Sequence, residues 1–77
     1  MFEIRMSTDQ NFASFRDQDS GDYVFVDSFD NVEFNVSYGS LMNHETIGVV
    51  RADSDAVLND KLRELVRKKI NTKKHDY

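Results

Sequence analysis

The chain has 77 residues, a net charge of −4, 39% hydrophobic and 12% aromatic residues, and no cysteine. A chain of that length forms one domain with a thin core, burying roughly 60–65% of the surface its unfolded form exposes. Disulfide staples are excluded, so a second copy is the expected source of further burial. The aromatic content excludes a disordered chain, and no apolar run reaches the length of a signal peptide or a membrane span. Absent cysteines and no export signal point to the cytoplasm, and from Met1 onward the sequence reads as a complete small gene product. Residues 1–50 hold nine acids and two bases, and residues 51–77 five acids and eight bases. An acidic body therefore carries a basic end, which bears on partners rather than on fold.

Phe2, Ile4 and Met6 alternate with Glu3 and Arg5, a period of two that predicts a half-buried strand over residues 2–6. Residues 7–17 are open to two readings. Ser7 and Gln10 have the spacing of a capping box, from which a short helix with Phe12 and Phe15 on one face would follow. "FASFRD" before a glycine reads equally as a strand, and the reading leans to a strand over 12–17. "DYVFVDSF" (22–29) is β-branched and aromatic. "VEFNVSY" (32–38) turns Val32, Phe34, Val36 and Tyr38 inward and Glu33, Asn35 and Ser37 outward. Asp30 and Asn31 between them predict a two-residue turn, making 22–38 a hairpin. "GSLMNHE" reads as a loop or a helical turn. "TIGVVRA" (46–52) is a further strand, in which Gly48 signals a bulge or a close backbone approach. Ser54 is a good N-cap, and Leu58, Leu62, Leu65, Val66 and Ile70 form one apolar stripe of a helix over 54–71. The expected fold is α+β: an antiparallel sheet of four to five strands with one C-terminal helix on one face. It forms a single domain over 1–72 with a polar basic tail at 73–77.

"RDQDSGD" (16–22) suggests a calcium loop, but the register fails. Counting from Asp17, glycine falls at position 5 instead of 6, and Ser28 stands where the bidentate glutamate belongs. The segment reads as a polar turn in which Gly21 supplies a positive φ. No cysteine nucleophile exists, and His44 and His75 are too far apart in sequence to suggest a zinc site or a catalytic pair. Gly21, Gly39 and Gly48 form no phosphate loop. The expectation is a protein without catalytic, metal or cofactor chemistry.

What remains is charge. Asp17, Asp19, Asp22, Asp27, Asp30 and Glu33 stand close in sequence with Arg16 as the nearby base, and they are the expected partner-binding acidic face. Strand carboxylates two apart project to one side about 6.6–6.8 Å from each other, comparable to phosphate spacing. Tyr23, Phe29 and Tyr38 are candidate interface anchors, though Tyr38 reads equally as core. Arg63, Arg67, Lys68, Lys69, Lys73 and Lys74 form an alternative basic patch for nucleic-acid phosphates, opposed by the acidic body. In size and character (short, acidic, cysteine-free, one α+β unit) the chain resembles small bacteriophage-encoded accessory proteins. That resemblance implies binding and inhibition of host enzymes, including restriction and other defence systems, in some cases by DNA mimicry; it names no target and transfers no residues. The leading expectation is a non-enzymatic, homodimeric module that binds a basic surface on a host protein, without nucleic-acid or membrane contact. The alternatives are a nucleic-acid-binding regulator using the basic helix and a self-associating assembly protein.

Overall fold

The computed structural model describes residues 2–74. Four strands, β1 (Phe12–Arg16), β2 (Tyr23–Ser28), β3 (Glu33–Gly39) and β4 (His44–Arg51), form an antiparallel sheet in chain order, followed by one helix, α1 (Asp55–Lys74). The expected α+β architecture forms, with a strand rather than a helix after the Ser7–Gln10 turn. The helix runs three residues beyond the expected 71, into the segment read as tail; residues 75–77 lie outside the described residues.

Register follows the apolar pattern more than the turn residues. Val24 pairs with Tyr38, Val26 with Val36 and Ser28 with Phe34, and all six are buried on one face. A two-residue turn at Asp30–Asn31 would instead set Val26 opposite Asn35, joining an inward side chain to an outward one. Because a one-residue slip reverses every side chain, the connection expands to Phe29–Val32. Asn31 alone takes a positive φ there, 62°. The Asp30 carboxylate accepts the N–H groups of Val32 (3.0 Å) and Glu33 (2.9 Å), and Ser28 Oγ accepts that of Asn31 (2.8 Å).

β4 begins at His44, two residues earlier than expected, after a Ser40–Asn43 turn. It carries a bulge: Val36 pairs with Gly48 but Ser37 pairs with Thr46, leaving Ile47 as the extra residue. Gly48 also permits a close approach, since a Cβ there would lie 3.1 Å from a Leu65 methyl. The helix packs on β4 through that contact. Ser54 caps it, with its carbonyl accepting Leu58 N–H at 3.0 Å and its hydroxyl accepting Val57 N–H at 3.3 Å.

The core lies between the sheet and two covering elements. Leu58, Leu62 and Val66 of the helix meet Val24, Val26, Phe34, Val36 and Tyr38. The second cover is the N-terminal segment, and here the strand expected at 2–6 is corrected. Ile4 and Met6 are buried and Glu3 and Arg5 exposed, as the period of two predicts, yet the segment joins no sheet. Its backbone is held by helix side chains instead. Asn59 accepts Met6 N–H (2.8 Å) and donates to the Met6 carbonyl (3.0 Å), and Arg63 donates to the Ile4 carbonyl (2.8 Å). Lying on the sheet's face rather than along its edge, these residues have no strand neighbour, so side chains satisfy the buried backbone groups.

Candidate interaction surfaces

The six acids of the expected face divide between the two ends of β2, whose five steps span about 17 Å. Asp17, Asp19 and Asp22 build the β1–β2 turn at one end. Asp17 is buried; its backbone N–H donates to Asp22 O (2.9 Å), its carbonyl accepts Gly21 N–H (2.7 Å) and its carboxylate accepts Asp19 N–H (3.0 Å). Gly21 has a φ of 78°, the positive value expected of it. Asp22 accepts the Tyr38 hydroxyl at 3.1 Å. Tyr38 is therefore a buried core residue and not an anchor: its ring meets Phe2 edge-on at 5.8 Å, and burial, followed by the Asp22 hydrogen bond, pushes its pKa up to about 12.

Asp27, Asp30 and Glu33 lie towards the other end, where the fold adds acids that are distant in sequence. The Ser7–Gln10 turn is tied to this end by Asn31, which donates to the Thr8 carbonyl (2.7 Å) and the Gln10 carbonyl (3.3 Å). Thr8 in turn donates its N–H to Asp55 at the start of the helix (2.8 Å). Ala52 N–H donates to the Val32 carbonyl (3.0 Å). One pole of the molecule thus gathers Asp9, Asp30, Glu33, Asp53 and Asp55 from three separate segments. Arg51, paired to Glu33 at 3.2 Å, and Lys61, on the Arg51 carbonyl at 2.6 Å, are the nearby bases. Phe29 stands at the tip of this pole, 99% exposed. Asp53 and Asp9 show no signal in the sequence beyond flanking a cap and a turn; only the tertiary contacts bring them beside Asp30. The N–H groups of Glu33 and then Val32 hold Asp30 below the ordinary carboxylate range, and those of the Thr8 backbone and then its hydroxyl do the same for Asp55.

The basic patch is largely engaged locally. Arg63 reaches Asp60 (3.5 Å) besides the Ile4 carbonyl, Lys68 reaches Glu64 (3.5 Å) and Lys69 reaches Glu45 (3.0 Å). Arg67 is exposed, and the side chains of Lys73 and Lys74 lie outside the described residues.

Among the described residues, no element covers the face of the sheet turned away from the helix. β1 and β2 set Phe12 beside Asp27, Ser14 beside Phe25 and Arg16 beside Tyr23. The Phe25 ring lies 5.6 Å from Tyr23, 6.5 Å from Phe12 and 4.6 Å from His44. The last contact bridges β3, where Gly39 separates Tyr23 from His44 in the register and offers no side chain. Phe12 is 58% exposed and Val49, on the same face, 54%. Tyr23 thus belongs to this surface, Tyr38 to the core and Phe29 to the acidic pole, so the three expected anchors share no site.

Two grooves flank residues 2–5: Phe2, Glu3, Ile4, Arg5 and Arg63 line one, and Glu3, Phe15, Arg16, Gln18 and Asp19 the other. Among the described residues, no group of three His, Cys, Asp or Glu is placed to hold a metal ion, and no helix is long and apolar enough to cross a membrane. Comparison with protein-family models, curated proteins and solved structures finds no match to this chain.

Proposed function

We propose that the protein is a small, non-enzymatic, cytoplasmic protein-binding module that occludes a basic surface on a host factor, in the manner of an accessory inhibitor. The observation that carries this reading is Phe29: an aromatic side chain left 99% exposed, next to Asp30 on a turn tied down by side-chain hydrogen bonds at the acidic end of the sheet. A turn held in one conformation loses little entropy on binding. A desolvated aromatic anchor supplies affinity, and the surrounding negative charge steers encounter with a basic partner and selects against an acidic one. The carboxylates stand on a turn, a strand start and a helix start rather than in a row at strand spacing. Charge-steered occlusion therefore suits them better than imitation of a DNA groove. Nucleic-acid binding by the helix has less support, because Arg63, Lys68 and Lys69 each already face an acid. The module is proposed to act as a homodimer that leaves both acidic poles free.

Affinity capture from the native host, comparing the wild-type chain with Phe29→Ala and with Asp9→Lys/Asp53→Lys, tests the assignment. These three side chains have no hydrogen-bonding or ion-pairing partner among the described residues, so the variants should keep the native circular dichroism spectrum. The expected result is a protein retained by the wild type, released by salt and lost by at least tenfold in either variant. Equal retention by all three chains removes the acidic pole as the binding site.

A further inference from the structure

We infer that the bare sheet face is the surface on which two copies of this chain pair, face to face, about a two-fold axis running across the strands at the level of Phe25. This deepens the homodimer part of the proposal above and uses none of the residues on which the acidic pole is tested.

The face is self-complementary under that operation. Phe25 lies midway along β2 between Tyr23 and Asp27, with Ser14 and Ser37 as its cross-strand neighbours. Phe25 is half-buried with its ring against those of Tyr23, Phe12 and His44, so each copy offers a continuous aromatic cluster at the centre of the face. Arg16 stands two residues from this level towards one end of the sheet, and Asp27 two residues towards the other. A two-fold across the strands reverses strand direction between copies, so it brings each Arg16 to the end where the other copy has Asp27 and Phe12. The same reversal sets His44 near the other copy's Val49. Charge would meet opposite charge, and a guanidinium would lie near an aromatic ring, at two symmetric places around a central Phe25 pair. A two-fold along the strands would instead lay β1 over β4 and β2 over β3, setting Arg16 opposite His44 and Asp27 opposite Asn35 with no exchange of opposite charge. Within one chain the two residues are four positions apart along the ladder, about 13 Å. Neither has an ion-pair partner among the described residues, so the charges are available for this exchange.

Size sets the expected strength. Four strands at about 4.8 Å and five to six residues at about 3.3 Å give a flat face of roughly 350 Å² per copy. That is about half of the ~800 Å² each partner contributes to a standard interface. The dimer should therefore be weak and concentration-dependent.

Sedimentation equilibrium of the full chain from about 5 to 500 µM is the direct measurement, with the aromatic ring signals followed by NMR. The wild type is expected to pass from one chain to two, with the Phe12 and Phe25 ring signals shifting over the same range. Arg16→Asp alone and Asp27→Arg alone should each weaken the dimer at least tenfold. The double swap Arg16→Asp/Asp27→Arg should restore it to within about threefold. Rescue cannot arise inside one chain at that separation, so it reports contact between copies. A wild type that remains monomeric at 500 µM, a dimer indifferent to both single reversals, or a double swap that fails to rescue a folded chain overturns the inference. Single-stranded oligonucleotide is the other occupant an aromatic sheet face admits; if it moves these ring signals in a monomeric chain, the face belongs to nucleic acid and the inference also falls. None of these outcomes touches the capture experiment, which reads Phe29, Asp9 and Asp53.

Discussion

Asn59 carries more of the fold than its place in a polar-looking stretch of helix suggests. Its amide meets both backbone groups of Met6 and also donates to the Asp55 carbonyl at 2.9 Å. Removing it strands a buried donor and a buried acceptor, each costing about 1–3 kcal/mol. Asn59→Ala is therefore expected to lower stability by about 2–4 kcal/mol, read as a fall in the urea midpoint at unchanged slope. Asn59→Asp keeps the acceptor for Met6 N–H but sets a carboxylate against the Met6 carbonyl, and should be no better tolerated. Helical spacing places this residue on the apolar stripe, three positions before Leu62 and seven before Val66. What it bonds there is set only when a segment more than fifty residues away is laid against it.

At the scale of elements, the contact between Gly48 and Leu65 sets how closely the helix approaches β4. An alanine Cβ would meet two Leu65 methyls at 3.1 and 3.3 Å. Leu65 is half-buried, so its tip can turn outward, and Gly48→Ala should cost less than about 1 kcal/mol because lost glycine flexibility partly offsets the crowding. Gly48→Val cannot be relieved that way and should cost about 1–3 kcal/mol by displacing the helix. Thermal melts of both variants, alone and with Leu65→Ala, check this; the leucine truncation should narrow the difference between them. Much of this level was legible beforehand. Alternation in β2 and β3, the glycine signal in β4 and the Ser54 cap are local patterns, and each forms where expected. Turn chemistry alone points to a two-residue turn at Asp30–Asn31, and the parity of the flanking strands overrides it. In the N-terminal segment a period of two says which side chains are buried but not what hydrogen-bonds the backbone between them. Nearness in sequence puts six carboxylates on one face, whereas the strand length between Asp22 and Asp30 sends them to opposite ends.

For the whole molecule, these placements bound the range of pH over which the fold is stable. Asp30 and Asp55, held below their ordinary value of 3.8 by backbone N–H groups, tie the turns of the acidic pole together. A carboxylate with a lowered folded pKa contributes stability that is present above the unfolded value and lost as pH falls through the folded one. Tyr38 acts in the opposite sense. Raised from 10.0 to about 12, its folded state favours the neutral phenol, so its contribution is present below pH 10 and lost as pH rises towards 12. Urea midpoints measured from pH 2 to 12 should show a plateau that falls at both ends. Tyr38→Phe should flatten the alkaline fall, and Asp55→Asn the acid one. A midpoint that declines steadily between pH 5 and 9 would contradict this assignment, because none of the three groups titrates there.

The clamp between residues 4–6 and the helix also has a temporal consequence. The meander assembles from neighbours, each strand pairing with the next in sequence, and such local steps are fast. The segment over its face cannot settle until the helix carrying Asn59 and Arg63 has docked, so the first part of the chain waits for the last. Until then Val24 and Val26 lack one of their two covers. The order of events would place this closure after the folding barrier. Stopped-flow measurements on Asn59→Ala should then show faster unfolding with little change in the folding rate. On that order the seal over the core would be the last feature to form and the first to open, and unfolding would start at the N-terminal segment rather than at the sheet.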